Sequence, residues 1–356
     1  MIARIIDLSA RHRAAVVLVT LAGAFAGWWS LQRVPLDALP DLSDTQVIVY
    51  SQWDRSPDLI EDQVTYPIVT ALVGAPHVKA VRGVSDFGAS FVYVVFEDGT
   101  DIYWARSRTM EYLSAALSRL PQGVKTELGP DATGLGWVYQ YALVDESGTH
   151  SLADIRSYQD WYLRYHLKSV RGVADVASVG GYVRQYQVNI DPNRLRARGI
   201  PLAKVVEAVR GGNDEAGGRL IEVSGTEYMV RGRGYAKSVE DFENIVLSAA
   251  PPAAPIRIKD IGQVVIGPDI RRGTADLDGR GDAVSGIVIM RHGENALAVI
   301  ERVRAKLEEI KGGLPAGIKV VPIYDRSELI QRSVNNLKWT LFEIMVTVGL
   351  VIMLFL

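Results

Sequence analysis

The side chains that most often carry chemistry are isolated from one another in this sequence. Cysteine is absent, and none of the five histidines has a partner at the spacing of metal ligands (His12, His77, His150, His166 and His292). Neither a glycine-rich phosphate loop nor a Gly-x-Ser-x-Gly elbow occurs, and no Ser/His/Asp set can be nominated. We therefore predict no catalytic residue, no cofactor-binding residue and no set of metal ligands, and we expect that the protein is not an enzyme.

Thioether and carboxylate groups offer no clearer site. Glu308 and Glu309 are adjacent on the solvent face of a predicted helix, where a pair of charges usually serves solvation. Five of the six methionines have no close partner in the sequence, and we expect them to be packing residues (Met110, Met229, Met290, Met345 and Met353).

One ionisable residue has an unusual setting. Glu343 interrupts the otherwise apolar run Trp339–Leu356. A carboxylate is costly inside a membrane, so this side chain should face protein or water rather than lipid. Two interpretations stay open: a role in functional coupling, or a hydrogen bond to a neighbouring helix.

Two apolar runs near opposite ends of the chain flank the whole middle region. Ala14–Leu31 contains no charge, and Trp339–Leu356 contains a single one. As a helix, each would be roughly 27 Å long, close to the hydrocarbon thickness of a bilayer. We predict that both cross a membrane and contact lipid. Ala24–Ala26 also fits the pattern of signal-peptide cleavage, but Trp28 and Trp29 favour an uncleaved helix anchored at the interface.

Charge sets the predicted orientation of these helices. Basic residues precede the first run and acidic residues follow it, which keeps the N-terminus in the cytoplasm and the long middle region outside (Arg4, Arg11 and Arg13; Asp37, Asp41 and Asp44). The absence of cysteine fits an oxidising compartment. A net charge of −2 with scattered basic residues argues against a nucleic-acid partner.

The middle region begins with the order strand, helix, strand, strand, helix. The predicted elements are the strand Thr45–Trp53, a helix that starts at Ser56 and Pro57 and buries Leu59, Ile60, Val64, Ile68 and Leu72, the strand pair Val78–Val84 and Ser90–Phe96, and the helix Ile102–Leu120.

The same order recurs after residue 137. The strand Val138–Val144 and the helix Leu152–Val170 precede the strands Val173–Val179 and Gln185–Ile190, which we expect to pair across Gly180 and Gly181. Helices at Asn193–Arg198 and Leu202–Val209 follow. Two copies of a split β-α-β unit predict ferredoxin-like subdomains.

The remaining sequence contains an insertion and a return to the repeated pattern. Gly211–Pro268 shows only short strands and turns: Glu227–Arg231, Ile245–Leu247, Ile256–Ile258 and Val264–Ile266. The strand Val284–Met290, the helix Asn295–Lys311 and the strand Lys319–Tyr324 then follow, and the helix Ser327–Lys338 continues without a turn into the second apolar run.

Seven segments spread between the two apolar runs resemble the heavy-metal efflux branch of the resistance-nodulation-division (RND) transporters. They are Val34–Asp44, Asp62–Pro67, Phe96–Asp101, Glu127–Gly134, Val176–Gly181, Ala216–Gly218 and Tyr324–Ser327. The resemblance implies an α+β membrane protein in which two transmembrane helices flank periplasmic ferredoxin-like (β-α-β-β-α) porter subdomains with an inserted docking subdomain.

The resemblance also implies domain boundaries and partners. The expected division is 1–33 for the cytoplasmic N-terminus and first transmembrane helix, 34–133 for the first porter subdomain, 134–210 and 269–326 for the two parts of the second, 211–268 for the docking insertion, and 327–356 for the connecting helix and second transmembrane helix. The expected partners are two further copies in a homotrimer, a periplasmic adaptor protein, an outer-membrane channel and a metal cation. The expected location is the bacterial inner membrane, with proton-driven export of the cation.

Two positions bear on which metal such a transporter would export. In the zinc and cobalt exporters of that branch, the segment matching Gly134–Trp137 carries a glutamate where this chain has Trp137, so the tryptophan resembles the copper/silver-exporting type. That type carries a methionine where this chain has Ile270, which cannot ligate the soft ions Cu(I) and Ag(I). We take Trp137 as the candidate residue of the substrate path and Glu343 as the possible intramembrane functional residue.

Full members of that branch are much longer, and their proton-relay carboxylates and metal-binding methionines lie in parts that have no counterpart here. Val351–Leu356 ends the chain without a polar residue. We therefore expect a truncated, transport-incompetent part of an efflux permease. A membrane-anchored periplasmic module that binds partners or ligands without transport stays open as the alternative, as does a remnant that folds poorly.

Overall fold

The structure is a computed structural model that describes residues 11–31, 37–215, 217–218, 220–230, 232, 234–248, 254–271 and 273–355. Several residues used in the sequence analysis lie outside these ranges: Arg4 of the orientation argument, Val34–Leu36 and Ala216 of the family segments, Arg231 of a predicted strand, and Leu356. The chain forms two compact units. The first comprises Met1–Ser147, Gln159–Val179 and Ser285–Leu356, and the second comprises Gly148–Tyr158 and Gly180–Val284.

The first sheet follows the predicted order of elements. Its strands are β1 (Gln46–Gln52), β2 (Val78–Asp86), β3 (Ala89–Phe96) and β4 (Lys125–Leu128), arranged β2-β3-β1-β4 with antiparallel pairing. Helix α1 (Arg13–Leu31) precedes this sheet, helix α2 (residues 57–72) joins β1 to β2, and α3 (Ile102–Leu117) joins β3 to β4. The core of the sheet lies under these two helices because every second side chain of β1, at Val47, Val49 and Ser51, is buried.

Helix α2 differs from a regular helix in its middle. A π-helical turn, Glu61–Thr65, separates the α-helical segments Pro57–Ile60 and Tyr66–Leu72. The turn places the buried Thr65 hydroxyl 2.7 Å from the hydroxyls of both Ser85 and Ser90. The expected apolar face is confirmed at Ile60, Val64, Ile68 and Leu72, whereas Leu59 is 41% exposed.

The second sheet repeats the topology of the first, and this corrects one prediction. Its strands are β5 (Trp137–Asp145), β6 (Val173–Gly180), β13 (Val284–Met290) and β14 (Ile318–Asp325), in the order β14-β5-β13-β6. Read from β6, this is the order of the first sheet, with β13 as the third strand. Helix α4 (residues 152–168), which contains a π-helical turn at Gln159–Leu163, joins β5 to β6, and α9 (Ala296–Ile310) joins β13 to β14.

The predicted hairpin between β6 and β7 (Arg184–Ile190) is therefore wrong. Strand β7 pairs instead with β12 (Gly262–Pro268) over seven residues, from Arg184 opposite Pro268 to Ile190 opposite Gly262. The chain leaves β6 at Gly180, which has a φ of +77° and no room for a side chain, since a Cβ there would lie 2.0 Å from the Ala283 carbonyl oxygen. The hairpin was predicted because β6 and β7 are adjacent in sequence. The contact of Gly180 with Ala283 instead directs the chain away from β6.

The second unit has its own small core. Helices α5 (Pro192–Ala197), α6 (Leu202–Gly211), α7 (Val239–Glu243) and α8 (Ile258–Ile261) accompany the β7/β12 pair, the ribbon of β8 (Leu220–Val223) and β9 (Thr226–Met229), and the pair of β10 (Val246–Ser248) and β11 (Ile256–Arg257). The core residues include Ile200, Val205, Phe242, Ile258 and Ile261. The sequence did not predict β8, and Ile258 begins a helix rather than ending a strand.

Helices α1 and α10 (Arg326–Phe355) confirm the two apolar helices. Both are long and apolar enough to cross a membrane, and none of the residues in either apolar window is buried inside the chain. Helix α10 begins directly after β14 and runs for 30 residues, roughly 45 Å, which confirms the predicted continuous connection.

A polar network inside the second sheet depends on a glycine. Tyr141 of β5 is fully buried and lies across Gly286 of β13, where a Cβ would be 2.2 Å from the Tyr141 Cζ. The Tyr141 hydroxyl donates a hydrogen bond of 2.8 Å to the Gln159 Oε1, and the Gln159 amide donates to the Ser178 hydroxyl at 3.2 Å. Burial raises the pKa of Tyr141 well above its ordinary value, so the phenol remains a donor.

We predict that Gly286→Ala destabilises the protein by about 1–3 kcal/mol, because the added methyl group forces Tyr141 out of its position. Gly134→Ala is the matched control, since a Cβ at Gly134 would meet no atom within 4 Å. The free energy of unfolding of both variants, measured in detergent with urea, checks the prediction. Equal values for the two variants would contradict it.

A second prediction concerns acid stability. Asp175 of β6 accepts a hydrogen bond from the Val176 N–H at 2.8 Å and lies 3.1 Å from the Lys168 ammonium and 3.4 Å from the Arg164 guanidinium. Burial alone would raise the pKa of Asp175, but these contacts outweigh it and the pKa is lowered. A lowered pKa in the folded state stabilises the protein above the unfolded-state pKa of about 3.9 and loses that contribution as the pH falls further.

We therefore expect Asp175→Asn to lower the melting temperature at neutral pH, and the difference from the unsubstituted protein to shrink as the pH falls below about 4. Thermal unfolding followed by circular dichroism across this pH range measures the difference. Lys168→Gln should remove part of the same pH dependence, because it removes one of the stabilising charges. A difference that is constant with pH would exclude this origin.

Candidate functional site

The segment that joins the two sheets of the first unit is the candidate functional site. We call residues 129–136 the linker; it begins after β4 and ends directly before Trp137, the first residue of β5. Its first residue is held by the first sheet: the Gly129 N–H donates to the Ile48 carbonyl at 2.7 Å, and the Gly129 carbonyl accepts from the Arg106 guanidinium at 2.7 Å.

Asp131 connects the linker to both sheets. Its carboxylate, 16% exposed, lies 2.9 Å from the Arg291 Nε and accepts a bond of 3.3 Å from the Tyr103 hydroxyl. Its carbonyl accepts from the His292 N–H at 2.9 Å. Partial burial, together with the neighbouring Asp131 carboxylate, raises the pKa of Tyr103. Arg291 and His292 directly follow β13, so this one residue ties α3 of the first sheet to a strand end of the second.

Thr133 connects the linker to the segment that follows α1. Its hydroxyl donates to the Asp41 Oδ2 at 2.6 Å, and the Ser43 N–H donates to the Asp41 Oδ1 at 3.0 Å. Burial alone would raise the pKa of Asp41, but the bonds from Thr133 and Ser43, with the nearby His292, lower it. Asp41 therefore serves as an anionic acceptor that fixes the middle of the linker.

Arg326 connects the linker to the long helix. It is the first residue of α10, and its side chain is only 3% exposed. The Nη1 lies 3.2 Å from the Asp37 Oδ2 and donates to the Leu135 carbonyl at 2.8 Å. Residues before the first sheet, in the linker and after the last strand therefore meet at one guanidinium group.

The start of α10 is fixed to the second sheet as well. Asp325 ends β14, accepts a hydrogen bond from the Ser327 N–H at 2.9 Å, and forms an ion pair with Arg304 of α9. It lies opposite Tyr139 in the pairing of β14 with β5. Burial raises the pKa of Tyr139, and the Asp325 carboxylate raises it further. No loop separates the strand from the helix.

A cleft of about 400 Å³ lies beside these contacts. Its lining includes Asp37, Asp41, Thr133, Met290, His292 and Arg326. Carboxylates and basic side chains both line it, so it has no single charge that would select a free cation or anion. The chemistry of the site is thus suited to holding chain segments in place.

The structure places the two predicted site residues far apart. Trp137 follows the linker directly and is 51% exposed. Glu343 lies in α10, seventeen residues after Arg326, which is roughly 26 Å along the helix axis. No group of three or more His, Asp or Glu side chains that could hold a metal ion occurs among the described residues. The expectation that the methionines are packing residues is wrong for Met110 and Met229, which are 46% and 77% exposed, and Met345 and Met353 of α10 are also exposed within the chain, at 64% and 81%.

The sequence analysis missed the residues that join the linker to α10 and to the segment before β1. No bonding role was predicted for Arg326 or Asp37, because their contacts are distant in sequence: Arg326 lies 289 residues from Asp37 and 191 residues from Leu135. Three of the family segments contain residues of the site, Val34–Asp44, Glu127–Gly134 and Tyr324–Ser327, and the resemblance singled them out without giving these residues a role.

Comparison with known proteins gives the kinship of the chain. The sequence model of the AcrB/AcrD/AcrF family matches residues 5–356. The cation efflux system protein CusA of Escherichia coli (strain K12) is 51% identical over 357 residues, which cover 100% of this chain and 34% of that protein. The cobalt-zinc-cadmium resistance protein CzcA of Cupriavidus metallidurans is 37% identical over 364 residues, again covering 100% of this chain and 34% of that protein.

A solved structure agrees with these relatives. The crystal structure of a heavy metal efflux pump superimposes with a TM-score of 0.88 at 34% sequence identity, and the match covers 99% of this chain and 35% of the pump. The chain therefore spans about a third of the length of the proteins that it matches. Because the family match extends over almost every residue, this chain belongs to the AcrB/AcrD/AcrF family of RND transporters.

Proposed function

We propose that this chain is part of a proton-driven RND efflux permease that exports heavy-metal cations, with Cu(I) and Ag(I) favoured, across the cell envelope. The observation that carries the proposal is the 51% identity, along the whole chain, to a protein named for cation efflux. The identity falls to 37% for the cobalt-zinc-cadmium resistance protein, which supports a cation other than the three named for that relative. On this proposal the protein moves an ion without converting it and is not an enzyme.

The proposed location is the inner membrane. Helices α1 and α10 supply two spans, because none of the residues in their apolar windows is buried by the described part of the chain, and lipid would stabilise them. Arg11 and Arg13 near the start of α1, and Asp37 and Asp41 after it, support a cytoplasmic N-terminus and a periplasmic location for the folded region between α1 and α10.

The two sheets support the assignment of ferredoxin-like porter subdomains. Each has the connection order β-α-β-β-α-β, and the second contains a long insertion between its second and third strands. We infer that the inserted unit contains the docking subdomain. Its β8/β9 ribbon has no buried residue, and the exposed side chains include Leu220, Ile221, Tyr228 and Met229.

That ribbon supports a protein partner. A two-stranded ribbon is marginally stable alone in water, and exposed apolar side chains on it favour burial against another chain. A homotrimer supplies such a surface. The periplasmic adaptor and the outer-membrane channel complete the proposed assembly on the strength of the family resemblance.

Two residues bear on the choice of metal. Trp137 is half exposed where relatives that export zinc and cobalt are expected to carry a glutamate, and an indole offers no oxygen ligand for those ions. Ile270 is 68% exposed and has no ligand atom, so a relay step through that position would have to differ from that of the copper/silver type. Trp137 therefore favours a soft cation. Ile270 implies that the route of the metal ion differs at this position from that of the copper/silver-exporting type.

A chimaeric transporter tests the proposed function. We expect E. coli CusA, with its matching third replaced by these 356 residues, to restore growth of a strain lacking CusA on copper and silver but not on zinc or cobalt. The reason is that the replaced part would supply the same porter surfaces. Minimum inhibitory concentrations of the four metals, with the exported ions measured by mass spectrometry, give the result.

The 356 residues expressed alone are the control, and we expect them to confer no resistance. A membrane-inserted chimaera that assembles but exports none of the four ions would contradict the proposal and favour a binding module without transport. Resistance from the 356 residues alone would contradict the expectation that they need the rest of a transporter.

Glu343 allows a second test in the same chimaera. We expect Glu343→Gln to leave export nearly unchanged, because an amide can replace a carboxylic acid in an interhelical hydrogen bond. Glu343→Leu should lower export by about three-fold, which corresponds to the loss of about 0.6 kcal/mol for such a bond. Metal efflux rates measure both variants. A loss with glutamine as large as that with leucine would instead assign Glu343 a proton-coupling role.

A further inference from the structure

Arg326 occupies a position that is unfavourable for a positive charge in two respects. Its side chain is 97% buried, and burial of an ionised group is costly unless it is paired and hydrogen-bonded. It also stands at the N-terminus of α10, where the helix dipole disfavours a cation. The Nε has no hydrogen-bond partner among the described residues. Helix stability therefore gives no reason for an arginine at this position.

The contacts of Arg326 give a geometric reason. Asp37 lies in the segment between α1 and β1, Leu135 lies two residues before Trp137, and Arg326 itself begins the helix that contains Glu343. A single Nη1 reaches both acceptors, so the segments before and after the folded region are joined to the linker at one point.

The surroundings of this point leave little freedom for relative movement. Strand β14 passes into α10 without a loop, and Asp325 is bonded to both Ser327 and Arg304. Gly136 packs against β13, since a Cβ there would lie 3.0 Å from the Met290 carbonyl oxygen. A displacement of α10 would thus move the linker rather than being absorbed by a flexible joint.

We propose that Arg326 is a clamp that holds the entry segment (residues 37–45, between α1 and β1) at Asp37 and the start of α10 on the linker, so that movement of α10 is transmitted to the strand that begins with Trp137. Arg326 is in this sense a positioning residue for transport. Its part in transport rests on the proposed function, but the clamp itself is a statement about distances and can be measured without transport.

Pulsed electron paramagnetic resonance on the full chain in lipid nanodiscs tests the clamp. The chain contains no cysteine, so nitroxide labels attach only at introduced cysteines. Leu42→Cys, at a side chain 88% exposed, labels the entry segment, and Asn335→Cys labels the exposed surface of α10. A second label pair, Arg82→Cys and Lys125→Cys, lies entirely within the first sheet and reports whether that sheet stays folded.

We expect Arg326→Met to broaden the distance distribution between residues 42 and 335 about two-fold, and to leave the pair within the sheet unchanged, because methionine keeps the buried volume but removes both bonds. Asp37→Asn should broaden the same distribution less, since the Leu135 bond remains. Lys319→Met is the matched control: its ion pair with Glu146 (2.6 Å) is exposed, and neither distribution should change.

An unchanged distribution between residues 42 and 335 in Arg326→Met, with the sheet pair unchanged, would overturn the clamp. If Arg326→Met also broadens the sheet pair, Asp37→Asn decides: broadening of the 42–335 pair alone supports the clamp, and no broadening overturns it. These distances are independent of metal export, so failure of the chimaera to confer resistance would count against the proposed function and leave the clamp standing.

Discussion

Apolar surface that the chain does not bury by itself governs this architecture. The apolar windows of α1 and α10 contain no residue buried within the chain, and water is an unfavourable environment for such surfaces. The proposed bilayer removes them from water, and the chain between the two helices leaves and re-enters the membrane at the same face. The folded region between them is then built on two chain connections, one leading to Asp37 and one leaving at Arg326. The ion pair between these two residues joins the connections where they meet.

The folded region uses one sheet topology twice. One arrangement of four strands and two helices occurs twice, and the second copy accepts about a hundred residues between its second and third strands without a change in strand order. Polymer theory explains why such an insertion is tolerated, since the entropy of closing a loop grows only with the logarithm of its length. The pairing of β13 with its neighbours is kept by packing, with Gly286 accommodating Tyr141 and the alternately buried residues of β13 facing the core.

Charged groups have different roles on the exposed surface and around the linker. Most ion pairs of the described residues are exposed and contribute little to stability, as at Lys319 with Glu146. Arg326, Asp131 and Asp41 differ because each bonds the linker to another chain segment, and two of these contacts are largely removed from solvent. A linker fixed at three points is a suitable base for the strand that carries Trp137. The proposed efflux function needs such a base if motion in the membrane is to reach the periplasmic surfaces.

The sequence by itself determined the features that depend on local patterns. Apolar runs gave the two long helices, alternation and caps gave nearly all the strands and helices of the first sheet, and short family segments gave the kinship. Tertiary structure decided what depends on distant partners. It assigned β13 rather than β7 as the third strand of the second sheet. Strand pairing depends on how the side chains of a sheet face pack together, and the contact between Gly180 and Ala283 cannot be predicted from the sequence. It also brought Asp37, Leu135 and Arg326 together across 191 to 289 residues, a meeting that only the closed fold can produce.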